Sequence, residues 1–215
     1  MKRAFIPVLI CLFALLPPAP ALAGPGLDES LVKIGNAAPK TSSFVHCHGR
    51  DCRVKKKIGF SGKEWEKVAE LFPAGSAKAE RKSIARAIGL MERYAGKKSG
   101  TSDDKGGTFD NAFSKGQMDC EDETLNTGTY LTLLQRKGLL QFHRLAGRAH
   151  RGMFLNGWPH RAVQIEERKT KKRYVVDSWF HDNGKPAEIV TFDEWKDGWE
   201  PHSTQPVYDR SQWLR

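Results

Sequence analysis

The chain has 215 residues, 39% hydrophobic and 28% charged, with 35 Lys and Arg against 25 Asp and Glu. That composition supports one domain with a real core, burying roughly 70% of the unfolded surface at this length. A mean hydropathy of -0.55 excludes a multi-span membrane protein, and 10% aromatic residues with unperiodic glycine exclude a disordered or collagen-like chain.

Residues 1–23 read as a signal peptide. Lys2 and Arg3 form a short positive region, an apolar run from Phe5 to Leu16 follows, and Ala21-Leu22-Ala23 is an A-x-A cleavage site. The run is about 12 residues, well short of the roughly 20 needed to span a bilayer as a helix. Ile10 before Cys11 rules out a lipobox. Cleavage removes two of the 35 basic residues and none of the 25 acids, leaving a net charge of +8. The expected location is therefore periplasmic or secreted, with no stable membrane insertion after cleavage. Basic charge there favours acidic partners at the cell envelope. Nucleic acid is not expected, because the basic residues are not interleaved with aromatics. The runs Lys55-Lys56-Lys57 and Lys169-Thr-Lys-Lys-Arg173 read as solvated loops or hairpin tips.

Residues 24–42 carry Gly, Pro and Ser with little periodicity and read as a loosely ordered arm before a single domain over 43–215. Three cysteines remain after cleavage: Cys47, Cys52 and Cys120. In an oxidising compartment neighbouring thiols pair, and Cys47 and Cys52 bracket a turn-like His48-Gly49-Arg50-Asp51, which favours a local disulfide. A metal site from His46, Cys47, His48 and Cys52 is the alternative, but adjacent ligands crowd and a second ligand pair is missing. Pairing the first two leaves Cys120 as the odd thiol.

The chain then reads as helices followed by a sheet. Ser61-Gly-Lys-Glu64 is a capping box opening a short helix that Pro73 ends. A second helix is expected over 76–95, with Ile84, Ile88, Met91 and Ala95 on one face and Gly96 as C-cap. Residues 96–108 form a polar, Gly-rich loop, long enough for a flap. A third helix starts near Cys120 and ends at Lys137 before Gly138. From there the period approaches two, giving strands over 140–147, 161–165 and 173–176. The Trp-rich C-terminal stretch, with Trp195, Trp199 and Trp213, shows no clear element. The fold class is α+β, helices packed on an antiparallel sheet.

Within that order Cys120, His160 and Asp177 stand out. A cysteine at a helix N-terminus meets unpaired N–H groups and the positive end of the dipole, both of which favour the thiolate. A hairpin centred at residues 168 and 169 sets His160 opposite Asp177, with His160, Ala162, Val175 and Asp177 on one face and Val163, Ile165, Tyr174 and Val176 on the other. Asp177 would orient the imidazole, and His160 would deprotonate Cys120 and later protonate a leaving amine.

Gln117-Met-Asp-Cys-Glu-Asp122, Pro159-His-Arg-Ala-Val163 and Tyr174-Val-Val-Asp177 resemble the bacterial transglutaminase-like cysteine proteinases, within the papain-like transglutaminase superfamily. The resemblance covers about residues 108 to 182, a third of the chain. It implies a papain/transglutaminase-like fold with the nucleophile at a helix N-terminus, and Cys120 as nucleophile, His160 as base and Asp177 as orienter. Glu123 departs from the pattern, since the family usually carries an aromatic residue there. The Cys120 backbone N–H is one oxyanion donor candidate and Gln117 another.

Asp119, Glu121, Asp122 and Glu123 crowd the cysteine with carboxylates. Helix capping accounts for them; so would a bound cation, which would relieve their upward pull on the thiol. Some members of the resembled family depend on calcium through the acids flanking the cysteine, which here correspond to Asp119 and Glu121, and oxygen ligands suit Ca²⁺. The leading expectation is an exported cysteine hydrolase, an endopeptidase or amidase working through a thioester on protein or peptide substrates, with no cofactor required for the chemistry and Ca²⁺ as an optional ligand. The alternatives are a transglutaminase-type acyl transferase on the same triad and a non-catalytic peptide- or cell-wall-binding module. Trp158 and Trp179 are candidate groove residues.

Overall fold

The structure is a computed structural model that describes residues 26–73, 75–107, 114–152 and 159–202. The signal peptide expected over 1–23, Trp158 and Trp213 lie outside the described residues. The elements in chain order are α1 (Leu27–Ile34), β1 (Phe44–His48), β2 (Val54–Ile58), α2 (Gly62–Ala69), α3 (Ala77–Ser99), α4 (Cys120–Arg136), β3 (His143–Arg151), β4 (His160–Glu167), β5 (Arg173–Asp177), β6 (Glu188–Thr191) and α5 (Phe192–Lys196). The class is α+β, with helices against a four-stranded sheet of order β3-β4-β5-β6 and a separate β1-β2 ribbon, both antiparallel.

The segment expected as a loose arm contains a helix. Leu27, Leu31 and Ile34 recur at helical spacing on α1 and are buried in the main core. The run is short, and its Gly and Pro neighbours hide the period. Asn36 then ties the arm down: its side chain accepts from Val45 N–H at 2.7 Å and donates to Val45 C=O at 2.8 Å.

The Ser61/Glu64 capping box forms as expected and opens α2. α3 starts after Ser76 but runs to Ser99, past the Gly96 expected to cap it. Gly96 is needed for close approach instead, because a Cβ there would lie 2.8 Å from Asn183 Oδ1 and 3.1 Å from the Ser102 backbone. Gly100, at φ 91°, takes the left-handed capping position. The polar loop expected from residue 96 is thus helical at its start, and Thr101 and Asp104 within it are buried. The strand expected from residue 140 begins at His143: the buried Glu80 carboxylate accepts from the backbone N–H groups of Gln141, Phe142 and His143, which keeps Gln141 and Phe142 out of the ladder.

α4 is the central helix, buried along most of its length and packed against α1, α3, β1, β3, β4 and β5. It is rich in threonine, whose hydroxyls are costly to bury unpaired. Thr124, Thr129 and Thr132 each donate to the carbonyl four residues back, at 2.6, 2.8 and 2.7 Å.

The β4-β5 register differs from the expected one by two residues. Val163 faces Val176 and Ile165 faces Tyr174, because the turn closes between Glu167 and Lys172, with Lys171 at φ 62°. Side chains alternate with period two, so this shift leaves every residue on its expected face. Val163, Ile165, Tyr174 and Val176 enter the main core, while Ala162 and Val175 pack with Ala149 and Trp195 on the other side. Lys169 to Lys172 lie at that hairpin tip, as expected, with Arg173 opening β5, whereas Lys55-Lys56-Lys57 sits on the exposed strand β2.

Gly89 sets the distance between α3 and the segment leading into β6: a Cβ there would lie 2.4 Å from the Lys185 carbonyl oxygen. Gly89→Ala should therefore destabilise the fold by about 1–3 kcal/mol, although alanine is favoured over glycine inside a helix by roughly 1 kcal/mol. Urea denaturation followed by far-UV circular dichroism measures the net effect.

Candidate active site

Cys120 is the first residue of α4, His160 the first of β4 and Asp177 the last of β5. The topology brings these ends together. His160 Nε2 lies 2.7 Å from Asp177 Oδ2, and the two side chains are 4% and 2% exposed. An ionised carboxylate only accepts, so this contact places the ring proton on Nε2 and leaves Nδ1 with a free lone pair. Nδ1 is buried and has no hydrogen-bond partner among the described residues.

Cys120 packs with Trp179 and Phe180, and the same two rings flank the imidazole at 4.7 and 5.5 Å between centroids. Thiol and imidazole therefore share one aromatic enclosure. Burial, helped by the Asp119 charge, pushes the Cys120 thiol up to about 12, against the pull of the Arg161 N–H and guanidinium. With Cys120 only 7% exposed, an isolated thiolate is unfavourable, and ionisation needs the proton to move onto a neighbouring base. Cys120 is the free cysteine among the described residues, since Cys47 and Cys52 form the expected disulfide.

Sequence reasoning missed several contributors. Trp195 Nε1 donates to the same Asp177 oxygen at 2.8 Å, and its ring lies 5.5 Å from the imidazole. A signal for its position existed: Thr191-Phe-Asp-Glu194 is a capping box that opens α5. Arg151 stacks over the Trp195 ring at 4.7 Å and donates to the Trp195 and Trp199 carbonyls. Ser178, next to Asp177, donates to Glu123 Oε2 at 2.6 Å. Glu123, the departure from the resembled motif, is thus a buried framework group.

Gln117, a candidate oxyanion donor, bridges a neighbouring loop. Its Oε1 accepts from Lys105 N–H and its Nε2 donates to the Asp103 carbonyl, each at 3.0 Å.

Asp119 and Glu121, expected as Ca²⁺ ligands, do not converge. Asp119 is the N-cap of α4: Oδ1 accepts from Glu121 and Asp122 N–H, and Oδ2 accepts from Asp51 N–H. Glu121 Oε2 is held by the guanidinium of Arg148 and, at 3.2 Å, by that of Arg161. A carboxylate between two guanidiniums and another filled by N–H donors do not fit a calcium site. Among the described residues no group of three or more His, Cys, Asp or Glu side chains could hold a metal ion. The capping explanation of the acidic flank is the one the geometry satisfies.

Compared with known proteins, this chain matches no family model, no curated sequence and no solved structure. Among the described residues no helix is long and apolar enough to cross a membrane.

Behind the site lies a second layer of buried acids. Burial and the charge of Glu123 raise Glu92 well above the carboxylate range and Asp104 to about 9. Burial and the charges of Asp177 and Asp119 take Glu123 to about 7, while burial and Asp119 take Asp122 to about 7. The folded state holds protons that the unfolded chain, with carboxyls near 4, has released. Stability from these groups is complete below pH 4 and is lost as pH rises through about 7 and 9. The melting temperature should therefore fall between pH 5.5 and pH 8.5. Asp104→Asn should flatten that slope in differential scanning calorimetry.

Proposed function

We propose that the chain is a cysteine hydrolase of the transglutaminase-like kind, acting on peptide or amide bonds. The observation that carries this reading is the His160–Asp177 pair. It is buried and bonded through Nε2, its Nδ1 has no partner among the described residues, and it shares an aromatic enclosure with a thiol at a helix N-terminus. The α+β architecture and the three sequence motifs support it.

The chemistry follows from those contacts. Asp177, held by the Trp195 indole, fixes the tautomer that leaves Nδ1 as base and stabilises the imidazolium once formed. The proton of the Cys120 thiol passes to Nδ1 as the sulfur attacks the carbonyl carbon, so thiolate and imidazolium arise as a pair. Burial that opposes a lone thiolate also excludes water, which strengthens this ion pair. The tetrahedral oxyanion meets the N-terminus of α4, where the Cys120 backbone N–H is the nearest donor by position. His160 gives its proton to the departing amine and leaves a thioester on Cys120. It then takes a proton from water, whose oxygen releases the acyl group as a carboxylic acid and restores the thiol. An amine in place of that water would give acyl transfer with the same residues. Export of the chain, with protein or peptide substrates at the cell envelope, accords with the disulfide and with the leader-like first 23 residues.

A non-catalytic module is favoured by one observation, the burial that pushes the Cys120 thiol up. The two readings separate on the pH dependence of Cys120 alkylation by iodoacetamide in mature protein. A catalytic pair should react on a plateau extending below pH 7. In His160→Ala the rate at pH 6.5 should fall about 100-fold or more, the usual scale for losing a general base. Equal profiles for the two proteins would make the thiol a framework group and leave the binding module as the reading.

Trp195→Phe keeps the ring but removes the N–H to Asp177. It should slow the same reaction at pH 6.5 by about 10-fold, as expected for one hydrogen bond to a charged group. Stopped-flow alkylation beside circular dichroism separates that effect from misfolding.

A further inference from the structure

The ribbon turn between β1 and β2 is far from ordinary in its backbone. Gly49, Arg50, Asp51 and Cys52 have φ of 81°, 69°, 51° and 54°, so four successive residues are left-handed. Three are not glycine, and that conformation is unfavourable for a residue with a Cβ. Such a run persists only where its surroundings impose it.

Successive N–H groups in a turn of this hand point to one side and form a concave anion cradle. All four here donate to the segment that carries the nucleophile. Gly49 N–H donates to the Gln117 carbonyl at 3.0 Å and Arg50 N–H to Asp122 Oδ2 at 2.8 Å. Asp51 N–H donates to Asp119 Oδ2 at 3.2 Å and Cys52 N–H to Asp122 Oδ1 at 2.7 Å. Asp119 and Asp122 are the two members of the capping box that starts α4 at Cys120.

The disulfide closes this turn, with the Cys47 and Cys52 Cα atoms 4.7 Å apart. Its two ends are anchored differently. Cys47 is held by the Asn126 side chain, which accepts from its N–H and donates to its carbonyl, both at 2.8 Å. Cys52 is held to α4 through its own N–H on Asp122. With the sulfur bridge open, β1 keeps its anchor while residues 49–52 can relax out of the left-handed region and withdraw their donors.

We propose that the disulfide-closed turn of residues 49–52 is the positioning element for Cys120, so that the nucleophile becomes competent only once Cys47 and Cys52 have been oxidised. This rests on the cysteine-hydrolase reading above. Oxidation joins the two sulfurs and transfers two electrons and two protons to an external disulfide such as oxidised glutathione. The chain would thus stay inert in a reducing compartment and become armed after reaching an oxidising one.

The test uses the wild-type mature chain, oxidised or reduced by dithiothreitol and freed of reductant, then pulsed with iodoacetamide from pH 5 to 9. Mass spectrometry of the Cys120 peptide separates its rate from those of Cys47 and Cys52. Reduction should slow Cys120 at pH 6.5 by tenfold or more and move its midpoint upward, with far-UV circular dichroism unchanged; re-oxidation by glutathione disulfide should restore both. Asp122→Asn keeps the bridge but turns one cradle acceptor into a donor, and it should shift the profile in the same direction. It serves as the test should reduction unfold the chain. A depressed profile unchanged by reduction in folded protein, or by Asp122→Asn, overturns the positioning role. An ordinary thiol profile in the oxidised wild type would instead remove the hydrolase reading itself.

Discussion

A helix that begins inside a protein leaves its first N–H groups without water, and the start of α4 shows what that demands. Asp119 accepts from two of them, Asp122 turns back to the Asp119 N–H, and both are in turn capped by the turn at residues 49–52. Two neighbouring carboxylates would repel each other if left bare, and it is the added N–H donors that make their closeness tolerable. The cost is visible in the turn, where three non-glycine residues adopt a conformation unfavourable by roughly 1–2 kcal/mol each. Hydrogen bonds to charged groups, at about 1.5–3 kcal/mol apiece, are of the size needed to offset it. The disulfide ribbon, the acidic motif and the position of Cys120 are therefore one structural problem with one solution.

The rest of the site depends on where α4 starts. The sheet packs on this helix through Val163, Ile165, Tyr174 and Val176, which sends the alternate residues His160, Ala162, Val175 and Asp177 to the far face. There α5 closes over them with Trp195. Its indole fills the apolar space beside Ala149, Ala162 and Val175 while its N–H reaches Asp177. One side chain thus packs a small second core and holds the carboxylate that bonds His160. Arg151 on that ring and on two carbonyls holds α5 to β3.

The buried acids give the site an electrostatic background that surface counting would miss. The chain is basic overall, yet Glu92, Asp104, Asp122 and Glu123 are all raised, first by burial and then by neighbouring charge: Glu123 acts on Glu92 and Asp104, and Asp119 on Asp122 and Glu123. A thiolate created alone at Cys120 would be doubly disfavoured, by desolvation and by the charges of Asp119 and Asp177. In the proposed function an ion pair formed by proton transfer to His160 would add no net charge, so that proposal leans on the oriented imidazole more than on the helix dipole.

Local chemistry made several features legible from residue order alone: the Ser61 capping box, the Cys47–Cys52 pairing, the helix starting at Cys120 and the face assignment of the β4-β5 hairpin. These depend on spacings of two to five residues or on alternation, and alternation survived even a two-residue error in register. What the sequence could not reveal was set by contacts between distant segments. Helix α1 was hidden because only packing against α4 distinguishes its short apolar stripe from a loose arm. Gly96 read as a stop because its role is to admit Ser102 and Asn183. Asp119 and Glu121 read as calcium ligands until Asp51, Arg148 and Arg161 supplied their partners, from 68, 27 and 40 residues away. Trp195 over Asp177 and the cradle of residues 49–52 under Asp119 and Asp122 belong to the same class. Residue types and short spacings determine which groups can ionise, cap or pair, because those preferences act through one or two turns of chain. Which of them actually meet is decided by the tertiary structure, because burial alone selects the partners that a charge or a hydrogen-bond donor must find once water is gone.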